Sequence, residues 1–192
     1  MKQTPEQRLL KLLKRKKASV TEIANALDLS PKKVMAMVRT LADKGTIFDV
    51  VEDTLQLAST IPSTEKPLVI DFRKHREQEF CIGAIADTHI GSKYERLDVL
   101  ACLYDRFVAA GVTRVFLGGN MIDGECSFNK YDIYVNGVDG QVRNFVEKFP
   151  YRKGVVTSFV TGDDHEGWYV QRDHINIGQY ARIALYQKAP ST

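Results

Sequence analysis

The chain has little from which to build a disulfide framework. Its three cysteines, Cys81, Cys102 and Cys126, are odd in number and form no CxxC pair, which points to a reducing cytoplasm rather than a stapled secreted fold. Long apolar runs are also missing, and nothing approaches the roughly 20 residues needed to span a bilayer. A membrane partner is therefore not expected. The N-terminus, MKQTPEQRLLKLLKRKK, has no apolar stretch followed by a small-residue cleavage site, so export by a signal peptide is not expected either. Internal repeats and low-complexity tracts are absent, and the net charge is only +3.

What remains is an ordinary globular composition. With 192 residues, 44% hydrophobic and 27% charged, the chain can form one large or two small domains. Its charge is unevenly placed. Met1 to Ser59 carry eleven Lys/Arg against seven Asp/Glu, an excess of +4, whereas the remainder carries sixteen against seventeen, or −1. A basic first third suits a polyanionic partner or a solvated helix face.

Helical signals fill that basic third. Leu9, Leu10, Leu12 and Leu13 form a stripe after Pro5, which can start a helix. Ser19 or Thr21 can cap a second helix that turns Ile23, Ala24 and Leu27 to one face. Ser30 and Pro31 open a third, which Gly45 ends, with Val34, Met37, Val38 and Leu41 inward. The apolar residues of TIFDVVEDTLQLA then suggest a hairpin turning near Glu52 and Asp53. Three helices and a hairpin resemble a winged helix-turn-helix domain over residues 1–58. The resemblance implies DNA as partner, with the third helix in the major groove and the hairpin on the backbone. Ser30, Lys32, Lys33, Met37 and Arg39 would face DNA, and Lys44 would lie nearer the phosphates. The acidic hairpin residues Asp49, Glu52 and Asp53 oppose that role. Protein contact or self-association is the other use of such a domain.

Residues 59–67, polar and proline-containing, read as a linker. Residues 68–192 alternate strand and helix. PLVIDF, EFCIGAIAD, RVFLGGN and GVVTSFVTGDD are the strands, while ERLDVLACLYDRFVAAGV and INIGQYARIALYQK are the helices. Leu97, Leu100, Leu103, Tyr104 and Phe107 are expected inward on the first of these helices. Such alternation predicts an α/β layered fold with a largely parallel sheet, whose functional groups gather at the carboxyl ends of the strands.

Three strand ends carry polar clusters. IADTHIG holds Asp87 and His89, GGNMIDG holds Asn120 and Asp123, and TGDDHEG holds Asp163, Asp164, His165 and Glu166. A carboxylate and an imidazole two residues apart after a strand can reach one divalent ion. Two such ions can clamp a phosphate and activate water, and mixed oxygen and nitrogen donors suit Mn, Fe or Zn better than Ca. The order D-x-H, then G-D-x-x-D, then G-N-H-[DE] is the signature of calcineurin-like metallophosphoesterases, and the chain resembles that family. The fold implied is an N-terminal winged helix-turn-helix domain plus a partial calcineurin-like α/β sandwich.

By that resemblance Asp87 and His89 bind the first metal, and Asn120 stands in place of a bridging aspartate. Asp164 stands where the family has a metal-binding asparagine, and His165 protonates the leaving oxygen or steadies the phosphate. Asp123 would orient His165. Asp163 as ligand is the alternative alignment. Trp168 and Tyr169 can line a substrate cleft or cover the core, and the core is the expectation.

Two features depart from the pattern. An amide at Asn120 cannot supply bridging negative charge, whether it is natural or engineered. No G-H pair follows Glu166, only His174, and residues 68–192 are about half of the family domain, so the chain reads as truncated. The leading expectation is a DNA-acting, Mn-type two-metal phosphodiesterase of the phage or bacterial DNA-degrading type, working in the host cytoplasm if phage-encoded. A catalytically inactive DNA-binding or assembly protein, alone or as a homo-oligomer, is the alternative. A phosphoprotein phosphatase would share the site.

Overall fold

Short polar side chains start each helix of the N-terminal third. In the computed structural model, which describes residues 3–61, 69, 71 and 80–188, helix α1 (Pro5–Leu13) opens on Thr4. The Thr4 hydroxyl accepts from the Gln7 N–H at 3.3 Å, and the Gln7 side chain accepts from the Thr4 N–H at 3.0 Å. Ser19 and Glu22 form the same reciprocal pair at the start of α2 (Val20–Leu27). Ser30 caps α3 (Pro31–Asp43) through the Lys33 N–H. Each cap satisfies a donor that the helix cannot, and is worth about 1 kcal/mol.

The chain divides into two compact units, Met1–Ile61 with Tyr169–Tyr186, and Pro62–Trp168 with Gln187–Thr192. Both contain helix and strand, so the chain is a mixed α/β protein. In the first unit Leu9, Ile23 and Val34 are fully buried and pack with Leu13, Leu27, Val38, Leu41 and Leu55. Burying each such side chain stabilises the unit by about 1.5–3 kcal/mol. Strands β1 (Ala18–Ser19), β2 (Phe48–Val51) and β3 (Thr54–Leu57) form an antiparallel sheet in the order β1–β3–β2. The hairpin turns on Glu52 and Asp53, whose φ of 48° and 64° match the two-residue turn between paired Val51 and Thr54.

The segment from Tyr169 onward completes this unit. Ile175 bridges to Thr46, the Ile47 N–H donates to the His174 carbonyl at 2.7 Å, and the Asn176 N–H donates to the Gly45 carbonyl at 2.6 Å. The His174 ring, through Nδ1, meets the Ala58 carbonyl at 2.9 Å.

In the second unit β4 (Gly83–Ile85), β5 (Arg114–Gly118) and β6 (Val156–Val160) form a parallel sheet in that order. Helices α4 (Leu97–Ala109) and α5 (Val138–Lys148) lie between successive strands in the chain. Leu100 and Tyr104 of α4 and Phe145 of α5 are buried, while Leu97, Leu103 and Phe107 are half-buried. The buried Tyr104 hydroxyl meets Thr157 at 2.6 Å, which satisfies it inside the core. Short α6 (Gly167–Asp173) and then α7 (Ile177–Lys188), most of which belongs to the first unit, follow β6. Most of the strand expected over 67–72 and of the linker 59–67 lies outside the described residues. Among the described residues no helix is long and apolar enough to cross a membrane.

Gly45 has a φ of +84°, and a Cβ there would stand 2.4 Å from the Asn176 carbonyl oxygen. Gly45→Ala should therefore destabilise the first unit by on the order of 2 kcal/mol, the scale of a side chain forced into left-handed backbone. Urea denaturation followed by circular dichroism would register the loss.

Candidate functional site

The three polar clusters follow the carboxyl ends of β4, β5 and β6, and the main chain fastens them together. The loops after β4 and β5 are joined by Asp87 N–H to Gly119 carbonyl (3.2 Å), His89 N–H to Asn120 carbonyl (2.9 Å) and Ile90 N–H to Met121 carbonyl (3.1 Å). The Thr88 hydroxyl adds a bond to the Met121 carbonyl at 2.8 Å. Three motif residues, Asp87, His89 and Asn120, have left-handed backbone with φ of 54°, 42° and 49°. Asp, His and Asn are among the non-glycine residues that tolerate this region best.

Glu166 fastens the third loop. Its side chain is fully buried, and its carboxylate accepts from the N–H groups of Asn120 (3.1 Å), Met121, Ile122 (3.2 Å) and Gly162 (2.8 Å). Burial pushes its pKa above the ordinary 4.5, against the lowering effect of those backbone donors. Gly162 must stay bare, because a Cβ on it would fall 2.2 Å from Asn120 Oδ1. The motif's closing acid gave no stated role in the sequence, although its place directly after His165 was visible.

Within this frame the imidazoles of His89 and His165 meet edge to face, with centroids 4.5 Å apart. His89 Nδ1 lies 2.9 Å from Asp123 Oδ1. A carboxylate there accepts a hydrogen bond from Nδ1–H, which leaves the Nε2 lone pair free. His165 Nδ1 lies 2.6 Å from the Asp123 main-chain carbonyl, which can only accept, so its Nε2 is also left free. Asp123 thus orients His165 through its carbonyl, while its carboxylate goes to His89 and stands 3.8 Å from His165 Nδ1. Asn129, buried and not foreseen, donates to both the carbonyl (2.8 Å) and Oδ2 (3.2 Å) of Asp123.

Asp87 Oδ1 faces His89 Nε2 at 3.8 Å. Asn120 Nδ2 donates to the same Asp87 oxygen at 2.9 Å, and Asn120 Oδ1 is buried with no hydrogen-bond partner. That oxygen lies beside Gly162, and it is the amide nitrogen that faces Asp87, so Asn120 would join Asp87 and His89 around a cation only with its amide turned over. His89, Asp123 and His165 also form a group whose ligand atoms lie within 4.8 Å of one another, though the 2.9 Å contact is spent on orienting His89.

Asp164 is exposed, and its carboxylate accepts from the His165 N–H at 2.8 Å. That bond lowers its pKa first, with the His165 and His89 rings acting in the same sense. Asp163 is exposed as well. Tyr169 is buried as expected, but Trp168 is 44% exposed. A cleft of about 440 Å³ reaches Asp87, His89 and Asp123 and runs past Tyr94, Arg96 and Leu100. At its edge Glu95 accepts from the Gly91 N–H (2.7 Å), the Tyr134 hydroxyl (2.6 Å) and Lys148 (3.1 Å).

A scan of protein-family models returns no match to the chain, and no curated protein or solved structure matches it either.

Two outcomes follow. Glu166→Gln presents an NH2 group to N–H donors and leaves at least one of them unpaired, each worth about 1–3 kcal/mol. A fall of at least that size in urea-derived stability is expected. For Glu95, desolvation raises the pKa, but the Gly91, Tyr134 and Lys148 bonds outweigh it and leave the pKa below 4.5. A depressed carboxylate stabilises the fold above the unfolded-state value, and that contribution is lost as pH falls through the folded one. Glu95→Gln should flatten the loss of stability seen below about pH 4.5 in acid titrations followed by fluorescence.

Proposed function

We propose that the chain is a DNA-acting, metal-dependent phosphodiesterase module of the calcineurin-like type, preceded by a winged-helix module that binds DNA. The observation that carries this reading is the convergence of three sequence-separated motifs, D-x-H, G-N-x-x-D and D-D-H-E, at the ends of adjacent parallel strands. Asp87, His89 and Asn120 would hold the cation, Mn2+ before Fe or Zn by donor type, with Asp164 at the exposed edge. When bound, a divalent cation supplies Lewis acidity toward a phosphoryl oxygen and a water that ionises near neutral pH. Asp123 keeps the Nε2 lone pair of His89 available. His165, held at Nδ1, presents Nε2, which as part of an imidazolium would give its proton to the leaving oxygen. The Asn120 amide brings no negative charge, which favours one cation over two.

The N-terminal unit supports the DNA-binding half of the reading through its three capped helices and its β1–β3–β2 hairpin sheet. Lys32, Lys33, Arg39 and Lys44 are exposed on or next to α3 and suit phosphate contacts. Ser30 is exposed at the helix start, with its hydroxyl engaged as the cap. Met37 is half-buried against the core, which leaves it a smaller part in any base contact. The exposed tip residues Glu52 and Asp53 would keep the hairpin away from phosphate.

A second reading, a DNA-binding or assembly protein without catalysis, is favoured by one observation. The Asn120 amide already occupies Asp87 Oδ1, an oxygen that the metal would need.

Plasmid degradation in Mn2+ separates the two. Asn120→Asp should raise degradation by at least about tenfold, the scale on which even outer ligand partners act on metal affinity, and EDTA should abolish it. No degradation by either form, with no Mn2+ uptake in calorimetry, would leave the binding role.

A further inference from the structure

Four aromatic side chains on the loops at residues 91–95 and 128–134 are exposed rather than buried. Tyr94 and Tyr131 are each 74% exposed, Phe128 is 61% and Tyr134 is 42%. They sit on two loops that are fastened to one another. Lys93 N–H donates to the Asp132 carbonyl (2.7 Å), Lys93 Nζ donates to the Tyr131 carbonyl (2.6 Å), and Tyr134 N–H donates to the Gly91 carbonyl (3.1 Å). Ser92 and Ile133 form a further bridge, and the Tyr94 hydroxyl reaches Asp132 at 3.3 Å. The exposed rings are thus displayed by a held frame.

Their placement relative to the site is informative. Phe128 meets the His165 ring edge-on at 5.6 Å. Tyr94 lines the cleft that contains His89. One exposed ring therefore touches His165, and another lines the cleft that His89 opens into. Lys130 rests over the Tyr131 ring at 4.7 Å and brings a positive charge to the same loop as Phe128. Flat apolar faces with an interleaved cation are what a single nucleic-acid strand needs. Bases stack on the rings, and the cation meets the phosphates.

We propose that Phe128 and Tyr94 form a stacking platform for the unpaired bases on either side of a phosphate placed at His89 and His165, so that the site takes single-stranded DNA. This rests on the phosphodiesterase reading only for what happens to that phosphate; strand binding itself needs no metal. Phe128 offers no polar atom, so its contribution is base-face contact that any base can satisfy. Sequence preference should be weak.

Fluorescence anisotropy in EDTA tests this on the full chain, with excess unlabelled duplex DNA present to occupy any duplex-binding surface. The probes are an oligo-dT of about twelve residues, within the usual site size, and an abasic strand of equal length. The wild-type chain should hold oligo-dT about tenfold or more tighter than the abasic strand, as one stacked base allows. Phe128→Ala combined with Tyr94→Ala should bring that ratio below about twofold, with circular dichroism unchanged, while Tyr94→Phe should keep it. Equal affinity of the wild-type chain for the two strands would overturn the proposal. A preference that the double variant leaves intact would overturn it too, and would place stacking elsewhere or the loops at a protein interface. Because no hydrolysis is read, a positive result stands even if Asn120→Asp degrades nothing, and a negative one leaves the phosphodiesterase reading untouched.

Discussion

Four main-chain N–H groups converge on the carboxylate of Glu166, and the candidate site takes its shape from that convergence. Three of them belong to the turn after β5 and one to the loop after β6. A charge removed from water is costly unless it is well bonded, and burial does press this group toward its neutral form. The four donors offset that pressure and at the same time satisfy amides that no strand partner reaches. The main chain of Asn120 is thereby held, and His165, one residue before Glu166, is placed against Asp123. Precision at the imidazoles is set by a side chain that touches neither ring's functional nitrogen.

Around that clamp the site is a balance of acceptors. Two imidazoles have their Nδ1 atoms committed to Asp123, and the Nε2 of His89 looks toward Asp87. The Asn120 amide partly relieves this crowding by donating to Asp87, yet its own oxygen remains without a partner. Hydrogen bonds from Asn120 to Asp87 and from the two imidazoles to Asp123 hold these side chains together.

The parts of this arrangement visible in the sequence were those written in short-range chemistry. Ser19 and Ser30, as caps, and Glu52 and Asp53, as a turn, act within a few residues, and the period of α3 already marked Val34, Val38 and Leu41 as buried. The D-x-H and D-D-H-E clusters were legible because each follows an apolar strand. What was not legible depends on distant partners. Strand β1 is two residues long and exists only by pairing with β3. Helix α5 carries Gln141 and Asn144 among its buried residues, which breaks the apolar stripe that would have announced it. That Asp123 gives its carboxylate to His89, and only its carbonyl to His165, is a matter of loop geometry that spacing along the chain does not encode. Asn129 is an ordinary loop asparagine until Asp123 is seen beside it.

The return of residues 169–186 to the N-terminal unit has a consequence for how the protein is made. On the ribosome, α1 to β3 emerge first and can assemble their helices and hairpin at once. Their final contacts, those of Gly45, Thr46, Ile47 and Ala58 with residues 174–176, must wait until the whole parallel sheet has been synthesised. At ordinary elongation rates that delay is on the order of ten seconds. During it the turn after α3 has unpaired backbone groups open to solvent. The contacts that close this unit are therefore made only after the parallel sheet that separates its two segments in the chain.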